Sequence, residues 1–290
     1  MSLRPSPVPR PLPVALLAAA ALGSATPGLA ASAYRLPDAW CDGGRVFSQG
    51  FEPAVPSDPS AGSGGAFPGD QTRAVFVQAT GSTRSYYLHV PDGYSPDRAH
   101  PVLLVLHGAA GSQAGVAPAA QAMRALFTPT SRDGGVLVAA LPAAGAQGGW
   151  VPGADHAFIS AALADIQAHY RIERTRIHLW GFSAGAHFGY GVALADTGRY
   201  AALAVKAGAL DAYAGAGAPG QAARRLPVAI RTGSGDPLLP YARLDRDRFL
   251  AAGWQWGTDL DYSEPTGGHE VDAADASAAW AGLCRWAVQP

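Results

Sequence analysis

From residue 101 onward the chain carries a series of short, uninterrupted apolar runs: PVLLVL at 101–106, GVLVAAL at 135–141, RIHLW at 176–180, AALAVKAGA at 201–209 and LPVAIRTG at 226–233. Runs of this length without polar alternation suit strands buried on both faces. Between them, DHAFISAALADIQAHY brings Phe158, Ile159, Ala162, Leu163, Ile166 and Tyr170 to one side at helical spacing, with Asp155 as the expected N-cap. A second helix is predicted to open with Pro118 and continue through AAQAMRALF, because proline is tolerated in a first turn. Upstream, RAVFVQA and SYYLHV predict a meander feeding the edge of the sheet. Strands alternating with helices predict an α/β fold: a mostly parallel central sheet with helices on both faces.

The N-terminal region breaks this pattern. Arg4 and Arg10 precede the apolar stretch VALLAAAAL and then small residues, which predicts a secretory signal peptide over 1–30, cleaved near Ala30 or Ala33. The apolar stretch is about half of the ~20 residues that a bilayer span needs, so no membrane association is expected after cleavage, and the expected location is secreted or periplasmic. Residues 31–70 follow as an N-terminal segment, with Trp40, Phe47 and Phe51 to dock on a neighbour, and a Pro/Gly/Ser-rich piece, AVPSDPSAGSGGAFPGD, that reads as a flexible linker. Residues 71–290 are evenly globular and ample for one catalytic domain. The formal net charge is -1 and Lys206 is the single lysine, so no basic footprint for nucleic acid exists. No zinc-type ligand spacing appears either, and no metal or organic cofactor is expected. The chain has 2 cysteines, Cys41 and Cys284. An even count in an oxidising compartment invites a disulfide that would pin the N-terminal tail to the C-terminal end, with two separate buried thiols as the alternative.

The candidate chemistry lies immediately after the predicted strands, where open α/β sheets gather their reacting groups. GFSAG follows RIHLW and precedes a helix-like segment, a context in which Ser183 is exposed on a sharp strand-to-helix turn and Gly181 and Gly185 permit tight packing. A serine needs a base to take its proton and a third group to orient that base. Asp236 follows LPVAIRTG in GSGDPLLP, and His269 lies in TGGHE before the last predicted helix. The order Ser183, Asp236, His269 is that of an α/β-hydrolase triad. HGAAG after the 101–106 strand supplies the expected oxyanion turn, with the amides of Ala109 and Ala184 as donors. His107 and Trp150 are candidate substrate-binding residues, with Trp150 alternatively capping the core. The charged stretch ARLDRDRF, with Asp245 and Asp247, is expected to be a solvated helix.

With these motifs in place, residues 84–289 resemble α/β-hydrolases of the polyhydroxybutyrate depolymerase-type, feruloyl esterase and acetylxylan esterase group. RSYYLHVPDGY resembles their opening strands, PVLLVLHGAAGS their oxyanion turn, and GGW followed by DHAFISAALADI their substrate-side loop and helix. YRIERTRIHLWGFSAGA, GSGDPLLPY and TGGHE resemble the segments carrying nucleophile, acid and base. The resemblance implies hydrolysis of a small or oligomeric carboxylic ester through a serine acyl-enzyme, without a large cap domain and without a cofactor. Ala186 departs from the further glycine of many relatives. A serine peptidase of the same fold and a non-catalytic secreted binding protein on a hydrolase frame are the alternatives.

Overall fold

The computed structural model describes residues 33–36, 41, 56–65 and 68–289. The expected signal peptide and the aromatic residues Trp40, Phe47 and Phe51 lie outside them. The main sheet takes eight strands: β2 (Gly69–Val77), β3 (Ser82–Val90), β4 (His100–Leu106), β5 (Leu137–Leu141), β6 (Ile172–Phe182), β7 (Ala202–Lys206), β8 (Val228–Arg231) and β9 (Leu260–Ser263). Their spatial order is β2-β3-β5-β4-β6-β7-β8-β9. The first two pairings, β2 with β3 and β3 with β5, are antiparallel, which is the expected meander; every later pairing is parallel.

The apolar runs are continuous because each strand feeds two cores. In β4, Val102, Leu104 and Leu106 enter one core, whereas Leu103 and Val105 enter the other. The same alternation divides Leu137, Ala139 and Leu141 of β5 from Val138 and Ala140. Successive side chains point to opposite faces of a strand, so two dry faces demand an unbroken run. Helices α2 (Pro152–His169) and α3 (Ala184–Ala195) cover the first face with Phe158, Leu163, Ile166, Phe188 and Val192. Helices α1 (Val116–Gly134) and α6 (Ala273–Leu283) cover the second with Phe127, Trp280 and Leu283, and α4 (Ala218–Gln221) and α5 (Leu239–Ala251) lie between α3 and α6 along the chain. Each such large side chain, fully buried, contributes about 1.5–3 kcal/mol. This is the expected α/β-hydrolase architecture, and no separate cap domain is inserted among the described residues.

The second, two-stranded sheet pairs β1 (Ala33–Arg35) antiparallel with β10 (Trp286–Val288). Beside it Cys41 and Cys284 form a disulfide with Cα atoms 5.1 Å apart. The N-terminal segment is therefore pinned to the C-terminal end, as the even cysteine count suggests. The chain-entropy model allows such a bridge about 5 kcal/mol at most.

Three local expectations are corrected. Helix α2 starts at Pro152 with Val151 as N-cap, so Asp155 lies inside the helix; its buried carboxylate reaches back to accept from the Val151 amide at 2.6 Å. Helix α1 begins two residues before Pro118, which occupies its first turn and lacks only a donor that the helix would leave unpaired. Residues 56–65, within the segment expected to be a flexible linker, are docked. The Ser60 hydroxyl donates to the Tyr170 carbonyl at 2.7 Å and accepts from the Ile172 amide at 2.8 Å, and Asp58 pairs with Arg174 at 2.7 Å. The small polar residues that suggest a linker are here the ones able to satisfy backbone groups at the start of β6.

Candidate active site

Strand β6 ends at Phe182 and α3 begins at Ala184, leaving Ser183 alone to turn the chain. It does so at φ 51 and ψ -118, a left-handed conformation rare for a residue with a side chain. Such strain costs on the order of 1–3 kcal/mol and persists only where the surroundings impose it. The Ser183 amide donates to the Lys206 carbonyl at the end of β7 at 2.9 Å, which fixes the turn to its neighbouring strand. The glycines on either side have no substitute. A Cβ on Gly181 would fall within 3.0 Å of the Gly185 carbonyl, and one on Gly185 within 3.0 Å of the carbonyls of Leu106 and His107. The Lys206 side chain is buried and donates to Asp275 at 3.1 Å, where Arg231 of β8 also donates at 2.6 Å. Asp275 also takes part in the capping box of α6, so the ends of two strands and one helix share a single carboxylate.

The loops after β8 and β9 are joined by their backbones. The Ser234 amide donates to the Pro265 carbonyl at 2.7 Å and the Gly235 amide to the Gly267 carbonyl at 2.8 Å. Gly233 must lack a side chain because a Cβ there would meet the carbonyls of Gly267 and Gly268. This contact carries Asp236 to His269: the His269 Nδ1 lies 2.9 Å and 3.1 Å from the two Asp236 oxygens. The Asp236 side chain is wholly buried, and its Oδ1 also accepts from the Leu238 amide at 2.8 Å. The other ring nitrogen of His269, Nε2, lies 2.8 Å from the Ser183 Oγ. An ionised carboxylate only accepts, so Nδ1 carries the proton and Nε2 is left to accept from the serine hydroxyl. The three residues predicted along the sequence meet in space, with His269 between Ser183 and Asp236.

The turn after β4 closes on the same point. A Cβ placed on Gly108 would lie 3.3 Å from the Ser183 Cβ. The Ala110 amide donates to the Gly148 carbonyl at 3.0 Å, whereas the amides of Ala109 and Ala184 donate to no acceptor among the described residues. That of Ala184 is the first of α3, where helix geometry leaves donors free and the helix dipole favours negative charge. His107 and Trp150 are both buried, and Trp150 packs into the core, the alternative reading of that residue. His107 is buried, its Nε2 accepts from the Ala143 amide at 3.0 Å, and its Nδ1 lies 2.5 Å from the Gly108 carbonyl. Burial holds its pKa below the usual histidine range. The Trp150 indole donates to the His107 carbonyl at 3.0 Å and stacks on Phe188 at 5.1 Å. Both residues brace the turn after β4, with no ring nitrogen left for a ligand.

Sequence reading missed two further groups. His187 stands one turn after Ser183 on α3, a spacing that could have flagged it. A cavity of about 420 Å³ lies along α3 beyond it, lined by Pro152, His156, Phe188, Leu194, Tyr213 and Gln221 among others; none of Ser183, Asp236 or His269 lines it. Among the described residues no cluster of three or more His, Cys, Asp or Glu is grouped to hold a metal ion, and no helix is long and apolar enough to cross a membrane.

No protein-family model matches the chain. Over 129 residues, 44% of its length, the chain is 28% identical to feruloyl esterase C of Emericella nidulans; the match spans 47% of that relative, about half its length. A CE1 ferulic acid esterase from Anaeromyces mucronatus, solved in complex with ferulic acid, superposes with a TM-score of 0.57 at 15% identity, over 77% of this chain and 92% of that one. Dipeptidyl peptidase 4 of Porphyromonas gingivalis superposes with a TM-score of 0.53 at 17% identity, over 70% of this chain and 33% of that one. At such identities the structural likeness shows the fold. The chain has the α/β-hydrolase fold and, over part of its length, is similar at low identity to a feruloyl esterase.

Proposed function

We propose that this protein is an exported serine esterase in which Ser183 is the nucleophile, His269 the base and Asp236 the orienting acid. One observation carries the reading: a hydroxyl, an imidazole and a buried carboxylate in line at 2.8 Å and 2.9 Å, with the hydroxyl on a strained strand-to-helix turn. Ser183 Oγ attacks the ester carbonyl carbon while its proton passes to His269 Nε2, and the carbonyl oxygen becomes an oxyanion facing the amides of Ala109 and Ala184. Collapse breaks the bond to the leaving oxygen, which takes the proton from His269 and departs as the alcohol. Water then repeats the sequence on the acyl-serine, releasing the acid and restoring the hydroxyl. Every step uses residues of the chain, and no cofactor enters.

The substrate is a small or oligomeric carboxylic ester of the feruloyl, acetyl-sugar or hydroxyalkanoate kind. The similarity to an enzyme named feruloyl esterase supports this choice over a peptide. Export is supported by the Cys41–Cys284 disulfide, since such bridges persist in oxidising compartments. A fluorophosphonate bearing a chromophore tests the reading. One label per chain, loss of hydrolysis of a chromogenic ester and no labelling of Ser183→Ala are expected. Unchanged hydrolysis by Ser183→Ala would reject it, and cleavage of a peptide panel without ester turnover would replace esterase by peptidase.

A further inference from the structure

His187 has no part in the proposed relay, yet its surroundings define its chemistry. Its amide donates to the Ser183 carbonyl at 2.9 Å, in the first turn of α3. Residues four apart share a helix face, and helical side chains lean toward the N-terminus, so the His187 imidazole inclines toward the Ser183 turn. The Ala209 amide donates to its Nδ1 at 2.7 Å. An amide N–H can only donate, so Nδ1 bears no proton and the neutral ring carries its hydrogen on Nε2. Burial foremost, and the nearby His269 to a lesser degree, depress the His187 pKa and keep the ring in that neutral form. Nε2 has no partner among the described residues, and it is not among the polar atoms sealed from solvent without one.

The segment that fixes the ring is itself fixed. Ala207 stands at φ 54 with its amide on the Arg231 carbonyl at 3.0 Å, and the Leu210 amide donates to the buried Asp245 carboxylate at 2.8 Å. The result is a rigid, uncharged N–H donor one turn from the serine. It cannot serve as a second base, because its basic nitrogen is occupied. A donor of this kind matches an acceptor oxygen.

We propose that the Nε2–H of His187 binds an oxygen that the substrate carries a few bonds from its scissile ester, which makes the site selective for oxygen-substituted esters over plain alkyl esters. The proposal rests on the esterase reading and assigns His187 to substrate positioning. Isosteric ester pairs test it: methoxyacetate against butyrate esters for the acyl side, and 2-methoxyethyl against butyl acetate for the alcohol side. Each kcat/KM ratio is divided by the same ratio for hydroxide hydrolysis, which removes intrinsic reactivity. The wild-type enzyme is expected to favour the oxygenated member of one pair by about tenfold, the scale of one net hydrogen bond. His187→Asn places an oxygen near Nδ1 and keeps the Ala209 bond but has no distal donor. His187→Gln places an N–H near Nε2 but gives up the Ala209 acceptor. The preference should vanish in Asn, chiefly through KM, and persist in Gln. Persistence in Asn, loss in Gln alone or equal loss in both would assign His187 to holding residues 207–210 and overturn the inference. A wild-type protein that neither labels at Ser183 nor turns over any ester would overturn the esterase reading first. An active enzyme with no preference for the oxygenated member of either pair would overturn only this one.

Discussion

The two ends of β6 differ in what their polar groups are doing. At the start of the strand polar side chains are engaged with partners from distant segments. Glu173 accepts from the Ser57 hydroxyl and the Asp58 amide, Thr175 donates to Pro56, and Arg176 donates to the Cys284 carbonyl. Beside it, paired to Ile172, His100 sits buried between the Gly135 carbonyl and the Ser95 amide. At the far end stand Ser183, the amides of Ala109 and Ala184, and the Nε2 of His187, none of these three donors having a partner among the described residues. Polar groups bonded across the chain contribute stability, whereas an end with rigid, unengaged donors is prepared to meet something from outside. Substitutions at the far end should therefore move rates, and those at the near end should move unfolding.

The largest expected effect is on the rate. Asp236→Asn keeps the acceptor for the Leu238 amide but favours the wrong His269 tautomer, so kcat on a chromogenic ester should fall about 10⁴-fold, as the corresponding change does in serine proteases. The unfolding midpoint should stay close to that of wild type. Retention of a tenth of the wild-type rate would remove Asp236 from the relay.

Next in size is Asp245, which lies behind the far end and blurs the contrast. Its carboxylate is buried, accepts from the Leu210 amide at 2.8 Å and from Arg248 at 3.1 Å, and burial pushes its pKa up to about 6. The expected solvated helix is thus solvated on one side only. Asp245→Ala strands a buried amide and should cost about 1–3 kcal/mol in urea unfolding. Asp247, exposed and paired only with Arg246, should be silent in the same assay. Equal effects at the two positions would contradict the burial of Asp245.

At the near end the expected effect is a pH dependence. Burial lowers the His100 pKa from 6.5 to about 4. Between these values the unfolded chain takes up a proton that the native ring refuses, so the stability contributed by His100 is full above 6.5 and is lost as pH falls toward 4. Wild type should therefore lose stability relative to His100→Gln over that window, while the Asp245 titration cancels between the two proteins. Parallel melting-temperature curves for the pair would show that His100 titrates alike in the folded and unfolded chain.

Local pattern accounts for much of this molecule. Two dry sheet faces wrote unbroken apolar runs into the chain, and the candidates Ser183 and Asp236 were visible because each follows such a run, whereas His269 was read from the glycine-rich TGGHE before the last helix. Partnership across the chain left no comparable trace. The docking of 56–65 depends on carbonyls of Tyr170 and Ile172, more than a hundred residues away, and the pairing of β1 with β10 joins segments of three residues with no periodicity to read. Asp155 and Asp245 were misplaced for one reason: an acidic residue in a helix looks solvated or capping until its distant partner is known, Arg84 for the one and the Leu210 amide for the other. His187 fell between the two cases. Its spacing from Ser183 was plain, but its value depends on the Ala209 amide that fixes its tautomer.

The bond between Cys41 and Cys284 also has a consequence in time. The two residues are 243 positions apart. With synthesis at about 5–20 residues per second, the first thiol is made about 10–50 s before the second. Throughout that interval β1 has no strand to pair with, and the thiol near it is open to glutathione, to an oxidoreductase or to another nascent chain. The bridge that closes the finished molecule thus begins as its longest-exposed reactive group, and the yield of correctly closed protein should depend on how well the compartment shields one waiting sulfur atom.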